Sequence, residues 1–258
     1  MQTRKNLEDA LTGRKSLICF VTAGDPSLDQ LPAIIDALTE GGADVIEVGI
    51  PFSDPIADGP TIQASSQRAL ERGVTPREIF NTLCSVRADV PLVAMGYTNT
   101  AMRPGYDTFA KSAAAMGISG VILSDLAPDD SSEWRKAAAA QGIDTVFLAA
   151  PTSTDARLAA IAAVSSGFVY CVSRTGVTGA DTSAAPDVAR TVARIRNYTN
   201  LPICVGFGIS EPTHVRMVWE VADGAVVGSY IVDFLHQHWK NGDGRDALVE
   251  MIKRLKAA

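Results

Sequence analysis

Residues 44–60, DVIEVGIPFSDPIADGP, open as a strand and end as an acidic loop. Val45, Glu47 and Gly49 share one face of this period-two segment, while Ile46, Val48 and Ile50 share the other. Glu47 is therefore aimed where a sheet or barrel core would lie, and a carboxyl in that position needs a reason. The loop beyond it carries Asp54 and Asp58 among glycines and prolines, which suggests a shaped acidic cup rather than a plain connection.

Around this stretch the chain repeats one phrase: amphipathic helix, small-residue stop, apolar strand, turn. A short helix at Leu7, Ala10 and Leu11 precedes a buried strand over 16–22. A helix starting at Asp29 follows, with Leu31, Ile34, Ile35 and Leu38 as its buried stripe and Gly41 and Gly42 as its stop. Beyond the opening stretch the pattern predicts helices over 61–72 and 76–87 and a strand over 91–95. Helices over 106–115, 131–141, 155–164, 186–197 and 211–221 then alternate with strands over 120–124, 144–149, 168–172, 202–206 and 224–227. Eight near-continuous apolar strands alternating with helices indicate an all-parallel sheet, and the count favours a closed (β/α)8 TIM barrel. The expected architecture is one barrel domain over 1–258, with an extra N-terminal helix and a short helix after strand eight.

Composition is that of an ordinary globular protein, with 47% hydrophobic and 20% charged residues and a net charge of −6. The acidic balance argues against nucleic acid, and no apolar run approaches a membrane span. Cys19, Cys84, Cys171 and Cys204 are scattered without metal-like spacing and read as reduced thiols of a cytoplasmic protein. The first apolar run, 17–21, is too short for a signal sequence.

In such a barrel the loops after the strands share one face, where active sites form. That face collects Asp25, Glu47, Asp54, Asp58, Asn99, Asp125, Tyr170, Ser173 and Arg174. None of the seven lysines falls at the C-terminal end of a predicted strand, which argues against a Schiff-base aldolase, and the three histidines lie late in the chain, away from the acids. Carboxylates are left to move protons. Glu47 has a structural alternative, capping a helix or pairing with an arginine, and Asp58 has one as an Asx turn before Gly59 and Pro60. Asp54 is more turn-like, and Asp25 reads as structural although it lines the same mouth. Glycine turns at 176–179, 206–208 and 228–229 follow the last three strands. A helix beginning near Ser229 would aim its N-terminus at the same spot, a phosphate position in barrels.

These residues resemble one family across essentially the whole chain. FVTAGDP at 20–26, ADVIEVGIPFSDPIADGPTIQ at 43–63, YCVSRTGVTGA at 170–180, GFGIS at 206–210 and VVGS at 226–229 are similar to the tryptophan synthase alpha subunits. The resemblance implies aldol cleavage of indole-3-glycerol phosphate to indole and glyceraldehyde 3-phosphate, with no metal or organic cofactor and within an α2β2 complex with a beta subunit. It assigns catalysis to Glu47 and Asp58, and the phosphate turns to Thr178, Gly179, Gly208, Gly228 and Ser229. Phe20, Tyr170 and Phe207 would surround the indole ring and glycerol chain, and Asp54 would face the partner. Closure of the loop after strand two would gate turnover. Two departures stand out: Tyr230 where the family usually has a small residue, and Ala127 where it often has proline. Two other readings stay open, a stand-alone indole-releasing lyase and a silent subunit that regulates a partner.

Overall fold

A computed structural model describes residues 6–172, 184–206 and 208–258. Eight parallel strands close into a barrel in sequence order: β1 (Ser16–Thr22), β2 (Val45–Gly49), β3 (Leu92–Gly96), β4 (Ile118–Leu123), β5 (Asp144–Ala149), β6 (Val169–Val172), β7 (Ile203–Gly206) and β8 (Gly224–Val227). Helices α1 (Leu7–Leu11), α2 (Leu31–Glu40), α3 (Pro60–Glu71), α4 (Pro76–Leu83), α5 (Thr98–Met102) and α6 (Tyr106–Ala115) lie in the first half. In the second half are α7 (Ser132–Ala140), α8 (Asp155–Val164), α9 (Ala184–Arg196), α10 (Pro212–Val221), α11 (Ser229–His238) and α12 (Arg245–Lys256).

The period-two faces of β2 fall as its sequence implies. Ile46 and Val48 join Leu17, Cys19 and Val21 in the layer between barrel and helices. Val45 instead joins Ile18, Val93, Ile122, Tyr170, Cys204 and Val226 in a separate apolar core inside the barrel, which Leu7 and Leu11 of α1 join. A plug of leucines on α1 thus accounts for the extra N-terminal helix.

Several bounds shift by one or a few residues from the expected ones, and two larger shifts and one unexpected helix have local reasons. The α4 helix ends at Leu83 because the next amides bond only three residues back, Ser85 N–H to Thr82 O at 3.2 Å and Val86 N–H to Leu83 O at 3.1 Å. Its start is firm, since Thr75 and Glu78 form a capping box ahead of Pro76. Strand β4 begins earlier, at Ile118, because its register against β3 shifts between Leu92 and Val93, and this hides its first residues from a regular alternation. The short α5 is held at its start by Asp125, whose Oδ1 accepts from the Thr98 N–H and hydroxyl, each at 2.7 Å. No helix among the described residues is long and apolar enough to cross a membrane.

Asp25 ties the β1 loop to α3. Its side chain is 2% exposed and forms a bidentate pair with Arg68, Nε to Oδ1 at 3.0 Å and Nη2 to Oδ2 at 2.6 Å, with Arg72 at 3.6 Å. A second tie is the 2.5 Å bond between the Thr22 and Ser65 hydroxyls. Together they fix the helix that directly follows the acidic loop. Replacing Asp25 by Ala strands a guanidinium beside a buried turn. Because Arg68 keeps some solvent contact, a loss of roughly 2–3 kcal/mol in urea unfolding is expected, below the range for fully buried pairs. An unchanged urea midpoint would show that the pair holds nothing in place.

Candidate active site at the strand ends

Glu47 sits in the middle of β2, in register between Phe20 of β1 and Val93 of β3. The residue is 1% exposed, and Oε1 has no hydrogen-bond partner. Burial pushes its carboxyl up to about 8, so the acid is protonated at neutral pH and holds a proton it can give away. Among the described residues it caps no helix and pairs with no arginine.

Asp58 approaches from the loop, half-buried. Burial raises its carboxyl to about 6, against the opposing pull of a hydrogen bond from the Tyr97 hydroxyl. The same hydroxyl accepts from the Ala57 N–H at 3.0 Å, and the Tyr97 ring stacks on Phe52 with centroids 4.8 Å apart. Tyr97, at the end of β3, is thus the post on which the loop leans. Both acids act on one further group: the buried Tyr170 hydroxyl is held well above its ordinary range, first by burial and then by the charges of Glu47, Cys204 and Asp58.

Two glycines make room for the aromatic walls. A methyl group on Gly49 would run into the Phe20 ring, and one on Gly206 would run into the Tyr170 hydroxyl. Both rings therefore lie flat across neighbouring strands inside the mouth. A cavity of about 70 Å³ opens between them, bounded also by Asp58, Ile62, Gly208 and Ser229. Gly208 has φ +74°, which a side chain would strain. Ser229 lines the cavity and starts α11, a ten-residue helix whose first amide N–H groups lack intrahelical acceptors.

The residues at these strand ends fall into three groups. Phe20, Asp58, Tyr170, Gly208, Gly228 and Ser229 come together around the cavity, with Glu47 buried in the register position beside Phe20. Asp54 does not join them. It lies exposed on the outer part of the loop, accepting from the Ser53 hydroxyl at 2.6 Å, near Ile56, which is 83% exposed. Thr178, Gly179 and Phe207, with Ser173 and Arg174, lie outside the described residues. Tyr230 does not line the cavity; its hydroxyl accepts from Arg254 at 3.2 Å. Tyr97, Met95, Ile62 and Ser124 are mouth residues the motif reading passed over; an aromatic directly after Gly96 at the end of β3 was the available signal for Tyr97. A far larger groove, about 1050 Å³, runs along the outer wall between α4 and α6, and neither Glu47 nor Asp58 lines it.

Fold and site together define a (β/α)8-barrel enzyme whose strand-end mouth holds two buried or half-buried carboxyl groups and the start of α11. The profile described as "Tryptophan synthase alpha chain" matches residues 7–258. The tryptophan synthase alpha chain of Geotalea uraniireducens is 46% identical over 250 residues, covering 96% of this chain and 93% of that one. Among solved structures, Mycobacterium tuberculosis tryptophan synthase matches with TM-score 0.88 at 36% identity, over 100% of this chain and 98% of that chain. The tryptophan synthase a2b2 complex of the hyperthermophile Pyrococcus furiosus matches with TM-score 0.88 at 38% identity, over 94% and 98%. The chain belongs to the tryptophan synthase alpha chain family.

The protonated state of Glu47 makes folding pH-dependent. Its folded value, about 8, lies above the ordinary 4.5, so the unfolded chain releases this proton first, and stability drains away as pH rises from 4.5 to 8. The Glu47→Gln variant, which cannot ionise, should gain stability over wild type by roughly 2–3 kcal/mol more at pH 8 than at pH 5.5. Urea unfolding at the two pH values measures this, and a pH-independent difference contradicts it.

Proposed function

We propose that the chain cleaves indole-3-glycerol phosphate to indole and glyceraldehyde 3-phosphate in tryptophan biosynthesis, with Glu47 and Asp58 as its catalytic residues. The observation that carries the assignment of roles is the buried, protonated carboxyl of Glu47, its Oε1 unpartnered, in register with Phe20 of the chamber that Asp58 also lines.

The bond between indole C3 and the glycerol chain breaks only if its electrons have somewhere to go. Protonating C3 turns the ring into an indolenine that accepts them. Glu47 gives that proton, and its carboxylate, newly formed in a low-dielectric site, takes the proton of the glycerol hydroxyl as the aldehyde forms. One residue thus donates and recovers a proton in turn, and the balance closes. Asp58, ionised above about 6, accepts from the indole N–H and stabilises the positive charge that develops there. Phe20 and Tyr170 flank the ring. Gly208, Gly228 and Ser229 with the start of α11 hold the phosphate, joined by Thr178 and Gly179, while Phe207 joins Phe20 and Tyr170 around the ring and glycerol chain. The reaction calls on no metal or organic cofactor.

The chain works in an α2β2 assembly with a beta subunit, with Asp54 on the exposed outer loop as part of the contact. We place it in the cytoplasm as one barrel domain over 1–258; its four free cysteines, one of them exposed, suit a reducing compartment.

Glu47→Gln should lower indole release by roughly 10³-fold, within the range for loss of a general acid–base. In wild type kcat/KM should fall above about 8, where Glu47 loses its proton. An assay of indole formation against pH checks both, and a Gln variant with full turnover overturns the assignment. Asp54→Ala should leave turnover of the isolated chain intact and weaken its activation by the beta subunit. Equal activation of both proteins would remove Asp54 from the contact.

A further inference from the structure

Ser124 follows β4 at the barrel mouth, where its backbone N–H donates to Gly96 O at 2.9 Å. Strand pairing therefore fixes its position. Its hydroxyl is another matter: Oγ is sealed from solvent and has no hydrogen-bond partner. Among the described residues only Glu47 Oε1 shares that condition, and Glu47 is the proton donor. A buried hydroxyl left unpaired weakens the fold and is expected where a ligand supplies the missing bond.

The surroundings say which part of a ligand that is. Ser124 lines a cavity of about 10 Å³ together with Asp58, Phe20 and Met95. Asp58, Phe20 and Met95 also line the 70 Å³ cavity, so the two volumes are parts of one chamber. The smaller part has room for at most one water. In the proposed reaction both acids work on the five-membered ring, Asp58 at the N–H and Glu47 at C3. Ser124 shares its cavity with Asp58, and position 7, one bond beyond the fusion carbon that carries the nitrogen, is the unfused atom of the six-membered ring nearest the N–H.

We propose that Ser124 is a specificity-determining residue whose hydroxyl hydrogen-bonds an acceptor at position 7 of the substrate's ring. The chain is then suited to indole rings carrying nitrogen or oxygen there as well as to plain indole. This inference rests on reading the chamber as the indole site.

The test compares indole, 7-azaindole and 5-azaindole as inhibitors of indole-3-glycerol phosphate cleavage, in the wild-type chain and in Ser124→Ala. Taking each azaindole relative to indole within one protein, and then comparing the two proteins, cancels the unequal hydration of the rings. The preference for 7-azaindole should drop about fivefold in Ser124→Ala, the usual worth of one net hydrogen bond, while that for 5-azaindole stays within about twofold. Thermal unfolding of Ser124→Ala should be no lower than wild type, because the hydroxyl gives up no partner. A 7-azaindole preference unchanged by the substitution, or a clear loss of thermal stability, overturns the role of Ser124 with the ring-site reading intact. Failure of indole itself to inhibit the wild type overturns the ring site and this inference with it.

Discussion

A carboxyl group closed inside an eight-stranded barrel, with one oxygen left unpartnered, is the constraint that the mouth of this molecule is arranged around. Water would ionise Glu47; the barrel instead surrounds it with neighbouring strands and leaves it neutral. The arrangement weakens the fold, since an apolar side chain of similar volume would sit there without penalty. The result is a proton held inside the barrel on a group whose pKa, about 8, lies close to neutral. The neighbours are shaped to the same end. Phe20 lies over Gly49 and Tyr170 over Gly206, contacts that any larger residue at either glycine would block.

The second acid is supported quite differently. Asp58 belongs to a loop and depends on elements that come from elsewhere in the chain. Tyr97 at the end of β3 bonds to the loop and stacks on Phe52, while the Asp25 pair with Arg68 anchors the helix into which the loop runs. A strand-borne acid thus gains its precision from the barrel, and a loop-borne acid gains its position from three side chains. Substitutions at Tyr97 therefore act on Asp58 and leave Glu47 in place.

Most of the architecture was legible because it follows from repeated local signals. β1, β5, β8, α6 and α8 have the bounds their apolar runs and caps imply, and the inward face of β2 follows from its alternation. What escaped needed tertiary information. The shift between β3 and β4 is a property of two strands and cannot be seen in either one. The α5 helix owes its start to Asp125, distant in sequence. Tyr97 looked like any aromatic after a strand until its hydroxyl was placed against Ala57. Ser124 ended an apolar run, and only three-dimensional packing shows that its hydroxyl has no partner. Tyr230 read as an obstruction at the mouth, yet its hydroxyl bonds Arg254 and the ring does not line the cavity.

The central claim is that Glu47 is neutral in the folded protein at physiological pH because the barrel buries it. Labelling the glutamate side-chain carboxyl carbons with ¹³C, assigning Glu47 by comparison with Glu47→Gln, and following its chemical shift across a pH titration tests this directly. The account predicts a midpoint near the value of about 8, well apart from the surface glutamates. A midpoint among theirs, at about 4 to 5, would contradict it.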